Sequence, residues 1–550
     1  YESRSFNSAN STEDCIRGGK SDNSFQITLK DNSSITSELS ASYVKNSDYA
    51  NSRYSSLLDG KLLSSADIHR RESVGSFKLN SSASWSKVFK TSKVRLNIRG
   101  TAILDKNDLN GWQLDTAATS TLRTHLVSTG SGHDNSYSGS IGLGIPLGSK
   151  LWRFSLNQSI KYDDTKAGRL SDDLMNGLVD TVNSYDYTVD MLTWSSGINL
   201  QYNNYARKDG GISFVMMKMN WEHSNQQRKE FMPENYHISR TFRVPSMSVT
   251  VSYKMTDFKN MTFSLVAQPE RMPIEQLREE LDNRNPLQLR AGNPMLKRPV
   301  KVGMQWNSTL ISKKGNNMNI VLGVYKTENA ITSHTRFFDV DTKLSDYNDY
   351  VAIAGSSLTT PENSSKSWLA SARMAYSFRL KPLRSTMNLD LSHSYQNLPI
   401  YVHSMPASNK RHSSNVGVSV STSFSTKFET TVSYRPILSF DDNSMEKNKT
   451  FSQNLNMTLR YVSSKGYMVT FDARWHDYYT KIGEGYNNLI LDPSVGKRFG
   501  KKQNFSVKVE GHDLLNQTKI FSVNMEDDYV VMTRRYSLGR YVICRLEYKF

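Results

Sequence analysis

The sequence predicts an all-β protein: a large antiparallel transmembrane β-barrel of about 22 strands, with short periplasmic turns and long extracellular loops. Three observations carry this. Apolar and polar residues alternate at period two along most of the 550 residues. No apolar run reaches the roughly 18–20 residues that a membrane-crossing helix needs. The chain ends on the amphipathic stretch YVICRLEYKF, whose last residue is aromatic.

The alternation is clearest from Asn454 to Tyr461, where Leu455, Met457, Leu459 and Tyr461 share one face. Asn454, Asn456, Thr458 and Arg460 share the other. YMVTFDARWH repeats the split, with Tyr467, Val469, Phe471, Ala473 and Trp475 opposite Thr470, Asp472, Arg474 and His476. Such windows belong to strands with one apolar and one wet face. Roughly two dozen of them, each about 9–13 residues, match the length of a tilted strand crossing a bilayer. Short turns such as Ser312–Asn317 alternate with long polar stretches at Thr165–Asp186, Thr327–Asp349 and Ser439–Asn448. The Ser-rich segment Ser128–Ser140 reads as a flexible surface loop or turn. A soluble sandwich or propeller would instead bury its apolar faces and repeat turns every 8–12 residues. The polar faces here stay polar along their length, and no propeller period is visible.

Composition narrows the function classes. Hydrophobic residues make up 37% of the chain and aromatics 11%, with 28 Tyr, too aromatic for a disordered chain. The net charge of +17 is spread evenly rather than gathered on one helix or stripe, which argues against nucleic acid. It suits a charged lumen or an anionic membrane surface. Cys15 and Cys544 lie near opposite ends and form neither a disulfide framework nor a metal site. Hydrolase, zinc-protease and phosphate-loop motifs are absent, and the 11 His are scattered, so no catalytic, metal or cofactor site is expected. RWHDYYTKIGEGYN (Arg474–Asn487) reads as part of an aromatic girdle at the membrane interface, with ligand capture by its Tyr and Trp as the other reading.

Two stretches carry a family resemblance. MPIEQLREELDNRNPLQLRAGNPMLKRPVKVGMQW resembles the loop-to-strand segment of TonB-dependent receptors, especially their Bacteroidetes-type outer-membrane β-barrel family. Asp282, Asn283, Asn285, Pro286 and Leu287 fit its first part. Gly292, Asn293, Pro294, Leu296 and Lys297 fit its GNPxLK part; Arg298 and Val300 depart from the pattern at its end. GHDLLNQTKIF resembles the turn these receptors carry before their last strands, through Asp513, Leu514, Leu515 and Asn516. Leu546, Tyr548 and Phe550 resemble the terminal-strand signal read by the barrel-assembly machinery.

Physically, the Asn-Pro pairs initiate turns and Gly292 permits a positive φ. Both motifs are expected to be structural landmarks, with Val300, Val302, Met304 and Trp306 facing lipid and Lys301, Gly303 and Gln305 facing the lumen. The resemblance implies a bacterial outer-membrane receptor that imports a chelate, glycan or peptide. Its implied partners are outer-membrane lipid and lipopolysaccharide, the assembly machinery, and the TonB complex if a plug precedes the chain. Nothing from Tyr1 onward resembles a plug, so residues 1–550 are expected to be the barrel portion of a larger protein, or a plugless relative. The alternatives left open are a non-transport barrel, serving as an enzyme, adhesion or assembly scaffold, and a soluble all-β binding protein.

Overall fold

The computed structural model describes residues 4–29, 31, 33–58, 61–117, 123–148, 151–175, 177–179, 184–204, 210–232, 235–270, 272, 274–277, 279, 281–283, 285–347, 349–364, 366–402, 405–425, 427–442, 447–481, 485–500, 504–525, 530–536 and 539–548. Among them, one antiparallel sheet holds 22 strands, as the period-two pattern requires. One of these is the two-residue piece Leu178–Val179. The long strands are β1 (Arg4–Thr28), β2 (Ser33–Leu58), β3 (Lys61–Val88), β4 (Arg95–Ala117), β5 (Arg123–Leu147), β6 (Trp152–Asp173) and β7 (Tyr185–Asn203). They continue with β8 (Gly211–Met232), β9 (Tyr236–Thr256), β10 (Lys259–Pro269), β11 (Val300–Ile311), β12 (Asn317–Glu328), β13 (Ser367–Leu380) and β14 (Ser385–Val402). The series closes with β15 (Met405–Ser425), β16 (Phe428–Asp442), β17 (Lys447–Val462), β18 (Tyr467–Thr480), β19 (Tyr486–Phe499), β20 (Phe505–His512) and β21 (Tyr541–Tyr548). Each pairs with its sequence neighbours, and a hairpin of Lys519–Met525 with Val530–Tyr536 lies between β20 and β21. Val530–Tyr536 lies against β1, so the two ends of the sheet come together.

Turns such as Ser312–Asn317 lie at one end. The three longest connections, 270–299, 329–366 and 513–540, all lie at the other. The outer face is apolar and exposed, as Val302, Met304, Leu322, Leu391, Val416 and Val495 show. Aromatic residues bound this band. Near the short turns lie Trp152 with Tyr202 (ring centroids 5.0 Å), Tyr376 with Phe378 (5.2 Å), Phe424 with Phe428 (5.8 Å) and Phe499 with Phe505 (6.0 Å). Tyr137, Tyr162, Trp194 and Trp475 lie toward the other border. From Trp152 to Tyr162 the strand climbs about 33 Å along itself, or about 24 Å at a 45° tilt, the height of a lipid-facing band. Aromatic rings prefer these borders because one side meets hydrocarbon and the other water.

The opposite face is hydroxyl- and amide-rich. Ser34–Ser86 (2.7 Å), Thr36–Ser84 (2.7 Å), Thr101–Ser138 (2.6 Å) and Ser252–Thr262 (2.9 Å) pair across strands. Ion pairs such as Lys78–Asp105 (3.4 Å) and Lys161–Asp163 (2.7 Å) interrupt them.

Two sequence expectations are corrected. Most strands are longer than 9–13 residues, reaching 28 in β3, because the ladder continues above the lipid band wherever backbone partners remain, while β10, β11 and β12 keep the expected length. Ser128–Ser140 is not a loop but the middle of β5, paired on both sides. Its glycines permit close packing: a Cβ on Gly130 or Gly132 would come within 2.6 Å of the β6 carbonyls of Gly168 and Lys166. The stretches at 165–186 and 439–448 are likewise strand as far as Asp173 and Asp442.

The strand that follows the Asn-Pro motif behaves as its alternation predicts. Val302 and Met304 are 45% and 48% exposed on the outer face. On the inner face the Tyr325 ring lies across Gly303, donates from its hydroxyl to Gln305 Oε1 (2.9 Å), and sits beneath Lys301 Nζ (4.6 Å). A Cβ on Gly303 would meet Tyr325 Cδ1 at 2.2 Å. Gly303→Val therefore costs about 1–3 kcal/mol through overpacking. The measurement is the urea midpoint for loss of the heat-resistant folded band. Combining it with Tyr325→Ala should recover part of the loss, and an unchanged midpoint in the single variant refutes the account.

Candidate functional site

The connections 270–299 and 329–366 fold together into an insert with its own core. Gln288–Arg290 pairs in parallel with Ser357–Asn363, which pairs antiparallel with Ile331–Phe337. Thr342–Leu344 and Tyr350–Ala352 add a small hairpin. Leu281, Leu289, Ala291, Phe338, Leu344, Ala352 and Leu358 are buried together, with Tyr347 and Tyr350 packed against them. Burial raises the pKa of the Tyr347 phenol. Leu287 and Ile353 pack on Ala66 of β3, far around the sheet from the strands that carry the insert. Ala66 lies on the polar face of β3, so that face is the lumen and the insert sits within it. At about 25 cal/mol per Å2 of apolar area buried, such a core outweighs any single hydrogen bond in the insert.

The motif residues shape this insert. Asn285 Oδ1 accepts from the Leu287 amide (3.1 Å), and its carbonyl accepts from the Gln288 amide (3.0 Å), setting the turn that drives Leu287 inward. Pro286 lies within that turn and fixes φ there. Asn293 Oδ1 accepts from the Met295 amide (2.8 Å) and Nδ2 donates to the Pro361 carbonyl (3.1 Å). Lys297 is clamped through its backbone by Asn363, which accepts from its amide (2.5 Å) and donates to its carbonyl (2.8 Å). Leu296 is buried, and Pro294 faces Ile238 and Arg240 of the β9 wall across a small gap. Gly292 is not among the residues of positive φ. The loop is a loop by connectivity only, for its apolar residues are among the most buried in the chain.

Sequence reasoning missed the anchors to the wall. Arg298, which departs from the family pattern, pairs through Nη1 with Glu222 on β8 (2.6 Å) and donates from Nε to the Glu270 carbonyl (3.0 Å). Arg240 reaches the Leu296 carbonyl (3.4 Å). On the other flank, Thr332 Oγ1 donates to the Pro399 carbonyl (2.8 Å) and the His334 ring stacks on Tyr401 (4.5 Å). His334 Nδ1 lies 2.8 Å from Glu362 Oε1. Burial acts to raise the Glu362 pKa, but the hydrogen bonds from His334 and Tyr401 outweigh it and leave the carboxyl below its usual range. Nothing in the sequence marks these contacts, because they join residues far apart in the chain.

The second motif forms the turn expected of it. Asp513 and Asn516 take positive φ (45° and 53°), and Asp513 accepts from the amides of Gln517 (3.0 Å) and Thr518 (2.9 Å). Asn516 Oδ1 accepts from the Arg540 amide (3.1 Å), tying the turn to the start of the last strand. Leu514 and Leu515 are exposed. Leu546 and Tyr548 lie exposed on the outer face with Val542; Phe550 lies outside the described residues. Cys544 is a free, exposed thiol on that same face.

The tyrosines of Arg474–Asn487 divide between the faces. Tyr479 points outward and is 57% exposed, as a girdle residue would be. Tyr478 and Tyr486 sit opposite one another on the lumen face with rings stacked at 5.4 Å, and His476 Nδ1 lies 3.1 Å from the Tyr486 hydroxyl. Among the described residues, no group of three metal-ligating side chains occurs.

No protein-family model matches the chain. No curated protein matches it. Solved structures similar to it include the siderophore receptor PirA of Pseudomonas aeruginosa, 11% identical over 97% of this chain and 80% of that one (TM-score 0.38). The outer membrane transporter YddB of Escherichia coli is 11% identical over 97% and 76% (TM-score 0.45). The ferric yersiniabactin uptake receptor FyuA of Yersinia pestis is 9% identical over 98% and 80% (TM-score 0.41). These superpositions are loose, and the functional reading rests on the chain's own residues.

The Glu362 contact gives a pH prediction. A carboxyl whose folded pKa is lowered adds stability above its unfolded value, near pH 4.5. That contribution is lost as pH falls through the folded value. Hydrogen exchange in 329–366, corrected for intrinsic rates, should lose protection as pH falls below the unfolded value. Glu362→Gln should show the loosened state already at neutral pH, and identical profiles for the two proteins refute the coupling. Separately, Leu289→Ala should cost about 2–5 kcal/mol within the insert. The readout is new proteolytic cleavage in 270–299 and 329–366 while the barrel band stays intact; an insert as resistant as wild type contradicts the core assignment.

Proposed function

We propose that this chain is the barrel of a bacterial outer-membrane receptor of the TonB-dependent kind, which takes up a nutrient without performing chemistry on it. The observation that carries the reading is the pairing of the two faces. An apolar outer band lies between aromatic borders, and it encloses a lumen wall of hydroxyls, amides and compensated charges. A helix or closed barrel alone can satisfy its backbone in hydrocarbon, and this chain does so by strands. The resemblance of Asn285–Lys297 and Asp513–Asn516 to receptor landmarks supports the receptor class. The insert, seated in the lumen at the end of the long connections, supports a mouth controlled from the cell exterior.

In this reading a plug domain and the TonB complex supply gating and energy, the outer leaflet's lipopolysaccharide surrounds the barrel, and the assembly machinery reads Leu546, Tyr548 and Phe550. The chain, exported behind a signal peptide, should sediment with outer membranes and run faster unheated than boiled on gels. Recovery as a monodisperse soluble protein without detergent overturns it. Removing Phe550 should lower the folded outer-membrane fraction about tenfold or more; an unchanged folded fraction removes the assembly role.

A further inference from the structure

The lumen wall over β14–β17 carries a depression of about 400 Å3. Its floor is Gly417, where a Cβ would meet the Asp390 Cβ at 3.3 Å and stand 3.6 Å from Arg435 Nε. Asn388, Asn454 and Asn456 line its sides. Two of these amides are steadied by serines: Asn388 Nδ2 donates to Ser419 Oγ (3.3 Å) and Asn456 Nδ2 to Ser433 Oγ (3.5 Å). On its upper side Asn454 stands opposite His476, which leads to the stacked Tyr478 and Tyr486. A polar trough therefore runs into an aromatic platform on one continuous face.

Two of the cations in the strip are paired. Asp390 holds Arg373 through two contacts (2.9 and 2.5 Å), and Asp492 holds Arg474. Among the described residues only Arg435 in the trough lacks an ion-pair partner, and it is exposed. An anionic ligand would gather uncompensated cations. A neutral polyol needs groups that donate and accept at once, as asparagine amides do. It also presents an apolar ring face, which tyrosine rings can cover while their hydroxyls stay wet.

We propose that this strip binds a neutral saccharide, with Asn388, Asn454, Asn456 and Arg435 bonding hydroxyls and Tyr478 and Tyr486 stacking on a ring. The proposal rests on the receptor reading above and names its substrate class.

The test uses the whole chain in detergent, with its folded state confirmed by faster migration when unheated. It is applied to an array of neutral glucans, xylans, mannans and galactans beside sialylated and sulfated glycans, and a ferric catecholate is titrated separately by fluorescence quenching. At least one neutral glycan should bind. Asn454→Ala, Tyr486→Ala and the trough-filling Gly417→Leu should each weaken that binding tenfold or more, and outward-facing Tyr479→Ala should leave it unchanged. A folded chain that binds no neutral glycan overturns the proposal. So does glycan binding that survives all three inward variants, or preference for the sulfated or catecholate probes. Absence of a heat-modifiable folded form would instead overturn the barrel reading itself.

Discussion

Backbone hydrogen bonding in a medium without water is the constraint on which this structure depends. Each unpaired amide or carbonyl in hydrocarbon costs several kcal/mol, so every strand must find a neighbour on both sides. Continuous antiparallel pairing from β1 to β21 answers that demand for the strands between the two ends, and Val530–Tyr536 lies against β1. It also explains why the side chains can be so plain. A Ser- and Gly-rich segment such as Ser128–Ser140 is held by its ladder, not by its propensity for strand. Once the ladder is fixed, period-two geometry sends each residue to lipid or to water.

A barrel of this width has no ordinary core. Its wall is one sheet thick, apolar on the side that meets lipid and polar on the side that meets water. The chain's densest burial therefore appears in the insert, where two long connections cover each other's leucines. Its four attachments leave from adjacent strands β10 to β13, while Ala66 receives it across the lumen. The anchors along the near wall are polar and charged, as Arg298–Glu222 and Thr332–Pro399 show. Those at the far wall are a few apolar contacts. Strong internal packing with modest external ties lets a body hold its shape while its seating responds to pH or ligand.

The lumen wall divides its work in the same manner. Hydroxyl pairs and ion pairs tie neighbouring strands along the lumen face, as Ser34–Ser86 and Lys78–Asp105 show. At Gly417 a missing side chain leaves a trough lined by Asn388, Asn454, Asn456 and the unpaired Arg435. Its aromatic flank arises from the same strand alternation that sends Tyr479 outward and Tyr478 inward.

The sequence by itself determined the barrel, the two faces, the lipid-facing row Val302 and Met304, and the turn at Asp513–Asn516. These follow from local rules: alternation fixes which face a side chain takes, and Asp and Asn tolerate the left-handed turn. Strand length was not legible, because strands persist wherever a partner strand does, and partners are non-local. Nor was the burial of Leu287 and Leu289, the anchoring by Arg298, or the joining of Arg435 and Asn454 to Tyr486. Only the tertiary structure decided these, since the energy of each lies in contacts between segments that no local pattern of residues brings into register.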